Sequence, residues 1–91
     1  MEIASCIEHT FLKLDAASTV FELEAGAKLV RDNNLRGYVV PPQLVRTVTN
    51  HFPEIEVVTV AAYPLGFETL AEKVFACEQA CDDGASEIDL V

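Results

Sequence analysis

Tryptophan is absent from this sequence, and methionine occurs once, at position 1. Positive charge is scarce: six lysines and arginines stand against 15 aspartates and glutamates, for a formal net charge of -9. Nucleic acid and anionic membrane surfaces are read through Lys and Arg, so neither is an expected partner. No apolar run approaches the ~20 residues of a membrane-spanning helix, and Met1-Glu2-Ile3 lacks the basic start of a secretory signal. Cysteine is sparse and odd in number (Cys6, Cys77 and Cys81), which suits reduced thiols in a cytoplasm better than a disulfide framework. Cys77 and Cys81 lie one helical turn apart, but no His or Asp shares their spacing, so they are expected to be core thiols rather than metal ligands. Gly-x-Gly-x-x-Gly and Walker patterns are missing too. No metal or cofactor is expected.

What is present is an apolar chain, 51% hydrophobic over 91 residues, enough for one domain near the lower limit for burying a core. Residues 3–7 are apolar and Glu8-His9-Thr10 polar, which predicts a first strand with polar groups at its C-terminal end. Thr19-Val20-Phe21-Glu22 has capping-box spacing, and Val20, Leu23, Ala27 and Val30 continue at helical spacing, with Asn33-Asn34 as a left-handed stop. Residues 35–40 predict a second strand, ended by Pro41-Pro42. A short helix over 43–52 follows, with Leu44, Val45, Val48 and Phe52 inward.

Residues 55–62 are almost continuously apolar, as strands buried on both faces are. Tyr63-Pro64-Leu65-Gly66 is a turn. Thr69-Leu70-Ala71-Glu72 repeats the capping-box spacing and opens a third helix, with Leu70, Val74, Cys77 and Cys81 on one face and Gly84 at its end. Residues 87–91 form a fourth strand. Strands alternating with helices across short loops imply right-handed βαβ units and a parallel sheet.

That leaves half of an eight-stranded (β/α)₈ barrel or a small open sheet. Polar residues at or just beyond C-terminal strand ends (Glu8, His9 and Thr10; Asp89) and the missing nucleotide loops favour the half barrel. Asp89 stands out, because a charge buried in an apolar strand without a partner must protonate or costs several kcal/mol. The expected partners of Asp89 are not among these 91 residues.

Several fragments resemble one family. Ile7-Glu8-His9-Thr10-Phe11-Leu12-Lys13 is similar to the Ile-Asp-His-Thr-Leu-Leu-Lys of deoxyribose-phosphate aldolase. Val39-Val40-Pro41-Pro42 sits where that family has Cys-Val-Asn-Pro. Thr59-Val60-Ala61-Ala62-Tyr63-Pro64-Leu65-Gly66 resembles its Thr-Val-Ile-Gly-Phe-Pro-Leu-Gly. Lys73-Val74-Phe75 and Gly84-Ala85-Ser86-Glu87-Ile88-Asp89-Leu90-Val91 resemble Lys-Val-Phe-Glu-Ala and Gly-Ala-Asp-Glu-Ile-Asp-Met-Val. Five fragments in register, from Ile3 to Val91, make the resemblance specific.

The resemblance implies an α/β fold, (βα)₃β, four parallel strands with three helices, as one partial (half-barrel) domain over 1–91. It also implies a class I lyase that reversibly cleaves 2-deoxyribose 5-phosphate to glyceraldehyde 3-phosphate and acetaldehyde through a lysine Schiff base, in deoxyribonucleotide catabolism. The family's Schiff-base lysine lies on its sixth strand and a second lysine on its seventh, so no Schiff-base lysine is expected in this chain. Its fourth-strand aspartate, a proton relay, falls on Asp89. Glu8, Thr10 and Val39 are the substrate-pocket candidates. Val39 replaces a cysteine, Glu8 an aspartate, and Leu14 a proline.

Lys28 and Lys73 read as surface residues, and Lys13 promises neither the desolvation nor the neighbouring cation that a nucleophilic lysine needs. His9 is expected as a hydrogen-bonded strand-end residue and His51 as a helix-end residue. Three readings follow. The first is the N-terminal half of an aldolase for a small phosphorylated sugar or aldehyde, inactive alone. The second is a half-barrel assembly or binding module that forms a homodimer or complements a separate C-terminal half. The third is an open four-stranded α/β domain without a catalytic role.

Overall fold

The computed structural model describes residues 2–12 and 19–91, Thr19 through its backbone only. Strands and helices alternate as β1 (Glu8–Thr10), α1 (Thr19–Asp32), β2 (Gly37–Val39), α2 (Val45–His51), β3 (Val57–Ala61), α3 (Leu70–Asp83) and β4 (Glu87–Leu90). All pairings are parallel, and the spatial order is that of the chain, β1-β2-β3-β4. Right-handed crossovers that never reverse direction put every helix on the same side of the sheet. One helical layer on one sheet accounts for the shortest dimension, 22 Å.

Register separates two faces, because side chains alternate along a strand and partners across a parallel pair point the same way. Tyr38 opposite Val57, and Thr59 opposite Ile88, turn outward to the helices. Glu8 opposite Gly37, Thr10 opposite Val39, Val39 opposite Val58, Val58 opposite Glu87 and Val60 opposite Asp89 turn to the inner face. The main core lies outside: Leu23, Ala27 and Val30 of α1 with Val45 and Val48 of α2 pack on Tyr38, Val40 and Val57. A smaller apolar cluster, Val39, Val58 and Val60 with Leu12, lies inside.

Tyr38 anchors the outer core. It is fully buried, and its hydroxyl donates to the Leu23 carbonyl at 2.9 Å. A Cβ on Gly26 would lie 2.2 Å from the phenol oxygen, so α1 can settle on β2 only where a residue without a side chain faces that ring. Burial pushes the Tyr38 hydroxyl up to about 12. His9 stacks on the same ring, with centroids 5.7 Å apart.

Helix ends follow local chemistry. Asn34 adopts φ 52° after α1, the left-handed stop expected of Asn33-Asn34. Thr69 caps α3: its hydroxyl accepts from the Glu72 N–H at 3.2 Å while the Glu72 carboxylate accepts from the Thr69 N–H, and Gly84 at φ 108° ends the helix. At the other predicted capping box α1 does begin at Thr19, whose side chain lies outside the described residues.

Four expectations are corrected. Residues 3–7 are not the first strand: Ile3–Cys6 is a 3₁₀ turn, held by Ser5, whose hydroxyl donates to the Glu2 carbonyl at 2.7 Å, and the polar Glu8–Thr10 is the strand itself. Val20 is exposed rather than inward, since the apolar line of α1 meets the sheet only from Leu23 onward. On α3, Ala80 is the buried residue, while Leu70, Val74 and Cys81 are exposed and Cys77 half-buried. The helix rests on β3 through small side chains, so the large residues point sideways, and Cys81 is not a core thiol.

Candidate functional site

The inner face is built in levels. At the bottom, where strands begin, stand Glu8 and Gly37; above them come Thr10, Val39, Val58 and Glu87; above those come Val60 and Asp89. Period-two alternation puts Glu87 and Asp89 on the same side of β4, and the parallel register with β3 sets that side as the inner one.

Beyond the C-terminal ends of the strands lies an open cavity of about 420 Å³. Its wall is largely apolar, from Leu12, Pro41, Val60 and Pro64, with Gln43, Tyr63 and Glu68 bringing polar groups. Val60 belongs both to this cavity and to the strand position beside Asp89, so the carboxylate sits level with the cavity floor. In a barrel this end carries the chemistry, because the βα loops converge there.

Asp89 is on the inner face but exposed, which corrects the expectation of a buried acid: among the described residues β4 is an edge strand and no side chain covers the carboxylate. Thr10 is exposed on β1, and Val39 is buried against Val58 and Val60. Glu8 opens β1, so it lies at the floor rather than at the cavity. Lys28 is exposed and Lys73 half-buried on α3, while Lys13 and Leu14 lie outside the described residues. His51 Nδ1 is 2.8 Å from the Thr47 carbonyl in the last turn of α2, the helix-end position expected. Among the described residues His9 makes the ring stack on Tyr38 described above, not the side-chain hydrogen bond anticipated for it.

Sequence reasoning missed Arg36. Its Nη1 donates to Glu8 and its Nη2 to Glu87 Oε1 at 2.5 Å, so one guanidinium joins carboxylates from the first and fourth strands. Sharing one guanidinium brings the two carboxyl groups close enough to act on each other's ionisation. Desolvation, then the Glu87 carboxyl, push Glu8 above the usual carboxylate range against the pull of Arg36. The hydrogen bond from Arg36 holds Glu87 below that range. An Arg-Gly pair before an apolar run was the only signal, and it does not say which carboxylates the arginine meets.

Among the described residues no group of three His, Cys, Asp or Glu side chains is arranged to hold a metal ion, and no helix is long and apolar enough to cross a membrane.

Four parallel strands in chain order with every helix on one side define half of a (β/α)₈ barrel. Over 90 residues the chain is 31% identical to a deoxyribose-phosphate aldolase of Clostridioides difficile, covering 98% of this chain and 40% of that protein. It is 33% identical to the Thermus thermophilus deoxyribose-phosphate aldolase, covering 100% and 41%. The solved deoxyribose phosphate aldolase of Aeropyrum pernix, described as a unique tetramer, superposes with a TM-score of 0.86 at 22% identity, covering 97% of this chain and 38% of that one, a likeness of fold. No family model matches. The chain belongs to the deoxyribose-phosphate aldolase family, and it spans about two-fifths of the length of the curated relatives it matches.

Proposed function

We propose that these residues supply the N-terminal half of a class I deoxyribose-phosphate aldolase, acting on a small phosphorylated sugar or aldehyde in a cytoplasmic setting, with Asp89 as its proton relay. The observation that carries this reading is the position of Asp89 beside Val60, on the inner face and level with the cavity at the C-terminal strand ends. A carboxylate there can take a proton from, and return it to, a carbon next to an iminium, provided an amine from another strand holds the substrate. Val39 shapes the inner wall without a thiol, and Thr10 offers a hydroxyl from β1. Glu8 acts from the floor.

The amine is not supplied by these 91 residues in this reading. Borohydride reduction with acetaldehyde should leave the mass of the chain unchanged, and an adduct on Lys13 or Lys73 would overturn that assignment. Mixed with the remaining strands of the Thermus thermophilus relative, the chain should give aldol activity that Asp89→Asn lowers ~10²-fold or more. Undiminished activity in that variant would end the relay role.

A second reading, an assembly module, is favoured by the edges at β1 and β4, unpaired among the described residues, and by exposed Leu65, Phe67, Leu70, Phe75 and Leu90. Two copies related by a two-fold along the barrel axis would pair each β4 with the other copy's β1. Gel filtration at twice the monomer mass supports it; a cooperatively melting monomer counts against it.

A further inference from the structure

The two lower levels of the inner face carry carboxylates from β1 and β4, joined by a single guanidinium. Arg36 stands immediately before β2, and its next neighbour, Gly37, puts no side chain on the inner face, so the fork reaches sideways in both directions. A guanidinium can serve two carboxylates at once because its donors are fixed in a planar fork, whereas an ammonium offers one compact charge. Asp89, one inner position above Glu87, interacts through its charge with both Glu8 and Arg36. Glu56, just before β3, lines the same pocket as Arg36 and Glu87, where its carboxylate accepts from the Ser86 hydroxyl. His9 is on the opposite face.

We propose that Glu8, Arg36 and Glu87 form a proton-holding clasp, a positioning unit that ties the first strand to the fourth and keeps a protonated carboxyl beneath Asp89. The argument is one of charge. Three carboxylates and one guanidinium on one face would carry a net charge of about -2 if all were ionised, and close like charges disfavour full ionisation. One proton shared between Glu8 and Glu87 removes one of those charges, with the Glu8 O–H donating to the Glu87 carboxylate and Arg36 donating to both. The separation of β1 and β4 is then held by hydrogen bonds that bypass β2 and β3. The clasp bears on function through Asp89, so its positioning role rests on the relay reading above.

The test is a carboxyl ¹³C titration of the labelled chain between about pH 3 and 8, a span that brackets the ordinary glutamate value of about 4.3. Glu8 and Glu87 should each show two linked steps, with the Glu8 midpoint above the ordinary value and the Glu87 midpoint below it. Arg36→Gln should move both midpoints up and speed amide exchange in β1 and β4. Arg36→Lys should keep more of the titration than of the exchange protection, since it retains the charge and loses the fork. Should Arg36→Gln fail to fold, Glu87→Gln gives a second readout: the Glu8 midpoint should fall, and its second step should vanish.

Independent single-step titrations at ordinary values, or Arg36→Gln curves superimposable on those of the parent, would overturn the clasp. None of this requires catalysis, so the two readings separate cleanly. Linked titration with undiminished activity in Asp89→Asn would end the relay and its positioning while leaving the clasp standing. Ordinary titration with lost activity in that variant would do the reverse.

Discussion

Along β3 successive residues face two different environments. Val57, Thr59 and Ala61 turn toward helices and are buried, and even the Thr59 hydroxyl is satisfied, donating to the Val40 carbonyl at 2.7 Å. Val58 and Val60 turn inward, onto a face that is apolar at its centre but carries Glu8, Glu87 and Asp89 on the flanking strands. The outer face is saturated with contacts and hydrogen bonds, and a change there must cost stability. The inner face keeps charged groups near water around a small apolar patch, and a change to those charged groups should cost little stability. The two-residue period of a strand thus separates a packed face from a partly solvated one.

The comparison breaks most visibly at Gly26. Helix propensity alone predicts that Gly26→Ala stabilises by about 1 kcal/mol. The contact with the Tyr38 hydroxyl reverses the sign, because the ring is fully buried and hydrogen-bonded and has nowhere to move. Chemical denaturation should show a loss of about 2–3 kcal/mol, the upper range for overpacking. A gain would mean that the outer core is looser than its contacts imply.

Tyr38→Phe should cost about 1 kcal/mol at neutral pH, the worth of a buried hydrogen bond. It should also change the alkaline limb. The Tyr38 hydroxyl titrates near 12 when folded against an ordinary 10.0, so the fold favours its protonated form. That contribution is complete below pH 10.0 and lost as pH rises through about 12. Denaturation midpoints across this window should fall less steeply in Tyr38→Phe than in the parent.

Ala62, just past β3, adopts φ 62°, where the related family motif has glycine. A left-handed conformation costs an L-residue ~1–2 kcal/mol, and glycine's extra freedom in the unfolded chain returns ~0.5–1 of that. Ala62→Gly should therefore stabilise by about 0.5 kcal/mol, read as a higher denaturation midpoint. A lower midpoint would show that the Ala62 methyl contributes more to the cavity wall than its strain costs.

How far the sequence could be read depended on how local each cause was. The Asn34 stop, the Thr69–Glu72 capping box and Gly84 act within one helical turn, and each was legible as spacing. That Asp89 falls near the C-terminal end of the fourth strand followed from the alternation of elements. Its exposure did not, because that depends on what stands opposite β4. The true first strand, Glu8–Thr10, was hidden because its residues have no strand-like apolarity and are held by pairing with β2, with the Arg36 N–H donating to the Ile7 carbonyl at 2.8 Å. The face of α3 failed for a related reason: Leu70, Val74 and Phe75 look like a core stripe, but the helix seats through Ala80. The Arg36 contacts span 28 and 51 residues of chain, beyond any local pattern.

The smallest stability effect is expected at the residue with the largest proposed role. Among the described residues Asp89 makes no ion pair, its side chain is exposed, and it reaches Glu8 and Arg36 only through charge. Asn is nearly isosteric, and an exposed charge removed from a chain of net charge -9 relieves as much repulsion as it loses attraction to one arginine. Asp89→Asn should shift the unfolding free energy by no more than about 0.5 kcal/mol in either direction. A loss of 2 kcal/mol or more would place Asp89 with the outer-face residues, as a structural acid, and the division of labour between the two faces would fail at the position that defines it. Near-neutral stability together with lost aldol activity, once the barrel is completed, is the pattern of a group kept for its proton rather than for its packing.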